Sequence, residues 1–434
     1  MIREFSVENY LSIRNKQTLS FITKGPESEL VVEITQGVFL NKLGILYGAN
    51  ASGKSNMLIA LNEVFRILLT SKDKSNSIIT GFIPFILTKH LPTKMEVSFY
   101  VSEIRYDYHV EFNKNYVLKE TLHYYPKGSK ALFYERTFKN EDVQADILFG
   151  DSLKLANKTK ERIRDYTLNN HSVLSVCVKN SFQEDIEPFT QLYEGIMQYY
   201  HEIDGDEDRK ITDILKETFN EPKKKLFFSI MLSKADLNII DYRTTIEERK
   251  MSKRLVERIL AEELPQSIKD SLLNPIHESI VFTNHSKEGN FEVPLHLQSK
   301  GTQKYIRILD ILYDLITANH VYYLDELGED LHYDLLLYYI EVFLYNSDKS
   351  QLIITSQEFS LLQQDIINDN RALVWFVEKN RETASSEYSR GDTYGLHKNL
   401  SLYNSYKIGR LGAKPELGSI FIDLDNTIYG QTEE

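Results

Sequence analysis

The run Gly48-Ala49-Asn50-Ala51-Ser52-Gly53-Lys54-Ser55, followed by Asn56, carries two glycines, a lysine and a hydroxyl at the spacing G-x-x-x-x-G-K-S. Glycines let the backbone turn tightly enough for its N–H groups to converge on one point. The lysine adds a positive charge there, and the serine hydroxyl can ligate a divalent cation. Together these groups suit the β- and γ-phosphates of a nucleotide with its Mg²⁺. A helix beginning near Lys54 would aim its positive end at the same anion.

Two further groups lie far downstream. Asp325-Glu326 closes the apolar run Val321-Tyr322-Tyr323-Leu324. At the end of a buried strand, Asp325 could hold Mg²⁺ through water and Glu326 could take a proton from an attacking water. Upstream of that run, Leu297-Gln298-Ser299-Lys300-Gly301-Thr302-Gln303 precedes Ile306, Leu309, Leu312, Leu315 and Ile316, an apolar series at helical spacing. Ser299 and the Gly301 N–H at the start of that helix can bind a γ-phosphate; Ser299 is equally a good N-cap. A Ser-x-Gly opening a helix just ahead of such an acidic strand is the signature arrangement of ABC-class ATPases, where it meets the nucleotide of the partner protomer.

The elements that must position these groups are legible in outline. Ile2–Val7, Thr18–Phe21 and Val31–Ile34 read as strands, and Leu43–Tyr47 as a buried strand leading into the glycine loop. Leu58, Leu61, Phe65 and Leu68 recur on one face of the helix expected after it. Met95, Val97, Phe99 and Val101, then Tyr106, Tyr108, Val110 and Phe112, alternate as half-buried strands of an antiparallel meander. Residues 150–280 read as mostly helical and heavily charged. Val321–Leu324, Gln351–Ile354 and Leu373–Val377 return to strands alternating with helices, which is α/β patterning. The expected organisation is an N-terminal ATPase lobe over 1–150, a mostly helical insertion over 151–285 and a C-terminal ATPase lobe over 286–434.

Phe5-Ser6-Val7-Glu8-Asn9-Tyr10-Leu11-Ser12, the loop Tyr47–Asn56 and Leu324-Asp325-Glu326-Leu327 continuing to Leu331-His332 resemble the bacterial ABC-class AAA-family ATPases of anti-phage and abortive-infection operons. These include the OLD, AbiL and PARIS ATPases and, more distantly, RecF and the SMC proteins. Trp375-Phe376-Val377-Glu378-Lys379 and Gly409-Arg410-Leu411-Gly412-Ala413 with Pro415 are similar too. The resemblance implies an ABC-ATPase head (a P-loop NTPase fold) with an antiparallel β subdomain, ATP and Mg²⁺ as cofactors, ATP-driven dimerisation or higher assembly, and a separate nuclease or toxin as effector. By motif match Lys54, Ser55, Asp325, Glu326, Ser299 and Gly301 carry over, and Leu331-His332 is the D-loop. Two departures imply slow turnover with binding intact. Gln357 stands after the Leu352–Ser356 strand where the family has a switch histidine, and no glutamine lies between Leu61 and Gln144 to serve as a Q-loop ligand. Gln357 either meets the γ-phosphate or caps a helix over Glu358–Gln364.

The remaining features bound the function. With 51 Lys and Arg against 63 Asp and Glu, the formal charge is −12, so nucleic acid would need a local basic patch. Candidates are Lys223–Lys225 and Lys250, Lys253, Arg254 and Arg258, then Arg381, Arg390, Lys398, Lys407, Arg410 and Lys414. A RecF- or SMC-like DNA-repair ATPase is the alternative reading. A transporter subunit is disfavoured by the long chain between Lys54 and Asp325. The single cysteine, Cys177, permits no intrachain disulfide and suits a reducing, cytoplasmic location. Neither a signal peptide nor a membrane span is expected, and so no membrane partner. Ile420–Thr427 resembles the first motif of HAD phosphatases but has no room for the rest of that fold. Asp204–Asp208 reads as a solvated acidic loop.

Overall fold

The computed structural model describes residues 1–70, 78–79, 81–139, 146–179, 186–200, 210–235, 237–248, 253–262, 264–266, 269, 273, 276–397 and 400–414. The acidic loop 204–208, Lys250, Lys398, Gln144, Pro415 and the segment 420–427 lie outside the described residues.

Strand Leu43–Gly48 is buried along its whole length. It pairs in parallel with Gln351–Ser356 on one side and Val374–Lys379 on the other. Val321–Leu324 extends the first side in parallel, and Ser386–Arg390 closes the second side antiparallel. Parallel strands need cover on both faces, and the side chains divide accordingly. Leu46, Tyr323, Ile353, Trp375 and Val377 enter one core; Ile45, Tyr47, Tyr322, Ile354, Val374 and Phe376 enter the other.

The first core is roofed by helix Lys54–Leu69 and an antiparallel sheet of seven strands. The expected meander runs Thr93–Val101, Ile104–Phe112, Val117–Tyr124, Ala131–Thr137 and Asp146–Phe149, and Ile2–Glu8 pairs with its first strand. Leu58, Leu61, Phe65 and Leu68 are all buried. Each such side chain is worth about 1.5–3 kcal/mol on burial. Phe65 stacks on Tyr200 at 4.6 Å and meets Phe99 edge-on at 5.4 Å.

Helices Asn157–Tyr166, Val173–Lys179 and Glu187–Tyr199 pack into this same core through Ile163, Leu174, Phe189 and Ile196. Buried Glu120 fastens them to the sheet. Its carboxylate accepts from Ser172 Oγ at 2.6 Å and Tyr134 Oη at 2.8 Å, and lies 3.9 Å from buried Arg136. Cys177 is buried here, and burial pushes its thiol well above the ordinary range. The second core is filled by helices Ile211–Thr218, Pro222–Lys234, Lys300–Thr317 and Tyr333–Asn346.

One stretch differs from the helical expectation. Ile239–Glu248 is a strand, paired antiparallel with Ile276–Ser286, which pairs in turn with Gly289–Pro294. The reason is packing: Tyr242, Ile280 and Phe282 are buried side by side over the second core. Helix Lys253–Ala261 stands between the first two strands in sequence. No helix among the described residues is long and apolar enough to cross a membrane.

Candidate nucleotide-binding site

The carboxyl ends of four adjacent parallel strands carry the candidate groups. Gly48 opens the glycine loop, Leu324 leads to Asp325-Glu326, Ser356 to Gln357, and Lys379 to Asn380-Arg381. Ligands of open α/β sheets bind at this edge.

The loop has the geometry its glycines require. A Cβ on Gly48 would collide with the Val377 carbonyl and Ser52 Oγ. Ala51 and Gly53 are left-handed, at φ 62° and 110°. Gly53 caps helix Lys54–Leu69, so Lys54 and Ser55 are its first residues. Lys54 is buried, and its Nζ donates to the carbonyls of Gly48 at 2.8 Å and Ala49 at 3.1 Å. Burial pulls its pKa down, while the charges of Glu326 and Asp325 pull it up. The acidic pair therefore faces the lysine across the edge.

Thr355, fully buried, joins the two halves of that pair. Its Oγ1 donates to Asp325 Oδ1 at 2.5 Å and accepts from the Glu326 N–H at 2.8 Å. Glu326 is itself left-handed, φ 46°, a strained conformation for a non-glycine residue. Gln357 Nε2 donates to Glu326 Oε1 at 2.5 Å. The alternative role for Gln357, capping the next helix, is not what the structure shows. That segment is a 3₁₀ helix, Phe359–Gln363, and its cap is Glu358, whose carboxylate accepts from the Ser360 N–H at 3.0 Å. Glu358 takes that role because its carboxylate sits one residue before the helix.

Ser299 caps helix Lys300–Thr317, accepting from the Thr302 N–H at 3.1 Å, and is exposed. A Cβ on Gly301 would stand 2.7 Å from the Asp330 carbonyl, so this helix start lies directly on the turn after the acidic pair. His332 is exposed and caps helix Tyr333–Asn346 through Nδ1, 3.3 Å from the Asp334 N–H. None of the three lines the cleft beside the glycine loop, which is formed by Ala49–Ser52, Val377–Glu382 and residues of Ile408–Lys414. Asn56 donates to Ser12 Oγ at 2.6 Å, and that hydroxyl lies against Gly53 of the loop.

Three positioning residues, Thr355, Ser386 and Tyr388, carry no local motif. Ser386 Oγ donates to the Ser52 carbonyl at 2.5 Å and lies 2.6 Å from Ser12 Oγ; Tyr388 Oη donates to the Gly53 carbonyl at 2.6 Å. With Thr355, they fix the loop and acidic pair from strands distant in sequence. Ser386 and Tyr388 thereby tie the Ser52 and Gly53 carbonyls to the antiparallel edge strand Ser386–Arg390. The residues fit a Mg²⁺-bound triphosphate. Besides the cation and the loop, Ser52 Oγ is buried with no hydrogen-bond partner, and Ser55 with Asp325 offers hydroxyl and carboxylate oxygen to the metal.

A family model described as "AAA domain, putative AbiEii toxin, Type IV TA system" matches residues 44–362. The chain belongs to this AAA-domain family. The matched region runs from the phosphate-loop strand past Gln357, so the family's AAA domain includes the acidic pair and the Ser299-x-Gly301 helix. No curated protein matches its sequence. Among solved structures, the SMC head domain from Thermotoga maritima aligns at 12% identity and TM-score 0.38, covering 90% of this chain and 98% of that one. A SmcHead bound to the C-winged helix domain of ScpA aligns at 12% and 0.40, covering 93% and 99%. An Smc head domain with an extended coiled coil, bound to the C-terminal domain of ScpA derived from Pyrococcus furiosus, aligns at 13% and 0.36, covering 94% and 98%.

Proposed function

We propose that this ATPase binds Mg²⁺·ATP on Gly48–Ser55 and hydrolyses it slowly, with each site completed by Ser299 and Gly301 of a second copy. Such an ATP-held assembly would act as the sensor and regulatory subunit of an anti-phage system, restraining or releasing a separate nuclease or toxin. The observation that carries the reading is the meeting of Lys54, Asp325, Glu326 and Gln357 at one sheet edge, while Ser299 of the same chain is exposed and caps its own helix.

When bound, the nucleotide supplies the scissile anhydride and the cation offsets its charge. Lys54 neutralises phosphate oxygens, and Ser55 and Asp325 hold the metal. Gln357 occupies Glu326 Oε1 and so turns Oε2 toward the attacking water, whose proton it takes. Gln357 donates a hydrogen bond but carries no positive charge, so it stabilises the transition state less than a protonated histidine would. That suits a subunit that dwells in the bound state until triggered. A DNA-spanning repair role has less support. Of the Lys223–Lys225 run, Lys224 is buried against Asp310 at 2.5 Å, and Lys225 lies 3.7 Å from Asp241 and over the Phe219 ring.

The test is Glu326→Gln with ATP. Glutamine keeps the shape but cannot take a proton, so turnover should fall about 10²–10⁴-fold. ATP binding should persist, and light scattering should show a larger, ATP-dependent species. Affinity capture with and without ATP should then retain a nuclease or toxin. Unchanged turnover, or no change in mass, would contradict the proposal.

A further inference from the structure

We propose that the seven-stranded antiparallel sheet carries a second ligand site on the face turned away from helix Lys54–Leu69. It takes a small molecule bearing a phosphate monoester, held by Thr121, His109, His123 and Lys119. Side chains alternate between the two faces of a strand. Val97, Tyr108, Val110 and Leu122 enter the core under the helix, so their neighbours point the other way. The strand register lines those neighbours up. Ser6, Glu96, His109, Thr121 and Glu135 stand opposite one another across five strands, and Glu4, Ser98, Asp107 and His123 form the next row. A cavity of about 380 Å³ lies over both rows. Sites for small molecules span roughly 300–1,000 Å³.

Most polar groups on this face are already paired. Asp107 accepts from Arg105 Nε at 2.8 Å, Arg105 Nη2 at 2.7 Å and Tyr125 Oη at 2.7 Å. Glu96 faces Lys16 at 2.6 Å and His109 Nδ1 at 3.3 Å, which leaves the other nitrogen of that ring. Ser6 Oγ lies 2.8 Å from Thr18 Oγ1, and Ser98 Oγ accepts from Arg105 Nε at 3.2 Å. Thr121 is the exception. It is 7% exposed, and its Oγ1 has no hydrogen-bond partner among the described residues. An unpaired buried hydroxyl is costly; in the wall of a cavity, a ligand can supply the missing partner. Lys119 and His123 flank Thr121 two positions along its own strand, and His109 and Glu135 stand directly across. These four side chains are long and not fully buried, so they can turn toward a ligand over Thr121.

The charge left over is positive. Glu96 and Asp107 are paired as above, and Glu135 faces Lys119 at 3.9 Å. Arg3 and Lys130 line the same cavity with no ion pair among the described residues, against Glu4. Burial, and then the charge of Lys130, pulls the His123 pKa down, while Asp107 and Glu135 oppose the shift. Lys130 therefore stands near that ring, which meets an anion as a neutral donor. Cross-strand neighbours are about 5 Å apart and alternate residues of one strand about 7 Å, so one compact group over Thr121 reaches all four donors. A hydroxyl, two imidazoles and an ammonium suit a phosphate monoester, with three free oxygens, better than a carboxylate with two.

The experiment uses the full chain carrying Lys54→Ala, which takes the phosphate loop out of competition. The probes are inorganic phosphate and glucose 6-phosphate, with glucose as control. Calorimetry should show one saturable site for each probe and none for glucose. Thr121→Val keeps the side chain's shape and removes a hydroxyl that the fold does not use, so the melting temperature should hold. It should weaken both probes at least about tenfold, the loss of one hydrogen bond to a charged group. Thr121→Ser restores the hydroxyl and should bind within about threefold of the parent. Among the 11 histidines, the ring signals of His109 and His123 should move in the NMR spectrum when probe is added. Binding of neither probe would overturn the site, as would equal affinity in Thr121→Val or unmoved His109 and His123 signals. A 5′-phosphorylated oligonucleotide that binds this face far more tightly than glucose 6-phosphate would assign it to nucleic-acid ends and overturn the small-molecule reading.

Discussion

Gly301→Ala adds one methyl group at the point where the Ser299 helix rests on the turn after Asp325-Glu326. The new Cβ would lie 2.7 Å from the Asp330 carbonyl oxygen, against about 3.4 Å for ordinary contact. One side must therefore retreat by about 0.7 Å, an overpacking that costs about 1–3 kcal/mol. Asp330 is already left-handed, at φ 61°, and has little slack. The helix start, with Ser299 Oγ and the nearby N–H groups, takes up the shift. In an assembled site, displacing a binding group by about 1 Å can cost about 10²-fold in rate. The Gly48–Ser55 loop is untouched, since the new methyl group meets Asp330 and Ser299 and no atom of the loop within 4 Å. Steady-state ATPase should therefore fall about 10²-fold, while ATP affinity by calorimetry stays within about threefold and the melting temperature drops by a few degrees. Unchanged turnover with a lowered melting temperature would mean that Gly301 only packs against Asp330, and the catalytic role of this helix start would be refuted.

Other predictions follow from the same contacts. Gln357→His should raise ATP turnover by adding a donor that can carry charge, and Gln357→Ala should lower it by freeing the Glu326 carboxylate; equal rates in all three proteins would remove Gln357 from the site. Glu96 sits on the outer sheet face, where hydrogen bonds from His109 and then Lys16 pull its pKa from 4.5 to about 2. A depressed carboxylate pKa stabilises the fold above pH 4.5, and that contribution is lost as pH falls toward 2. Glu96→Gln should accordingly melt below wild type at neutral pH, with the difference closing over that window. Because Glu96 is about half exposed, solvent screening keeps the effect small; a difference that widens in acid would contradict the assignment.

The phosphate loop, its strand and its helix were legible because they are contiguous: the spacing Gly48 to Ser55 and the face Leu58, Leu61, Phe65 and Leu68 are local patterns. Asp325-Glu326 and Ser299-x-Gly301 were legible for the same reason. The positioning roles of Thr355, Ser386 and Tyr388 were not. Ser386 reaches the loop across 334 positions of chain and Tyr388 across 335, and single hydroxyls announce nothing until a sheet brings them together. Ile239–Glu248 alternates weakly amid charged neighbours, and only pairing with Ile276–Ser286 makes it a strand. Lys223–Lys225 read as a basic surface run, yet the i, i+1 turn of helix Pro222–Lys234 directs Lys224 into a buried pair with Asp310.

The central claim, a site shared between two copies, is tested by mixing Lys54→Ala with Ser299→Arg. Each variant alone spoils both sites of a symmetric dimer. A mixed dimer rebuilds one site, from the intact Lys54 of one copy and the intact Ser299 of the other. With random mixing half the dimers are mixed, so ATPase should recover to about a quarter of wild type. Mixed dimers, confirmed by differently sized tags, that remain as inactive as either parent would contradict the shared site.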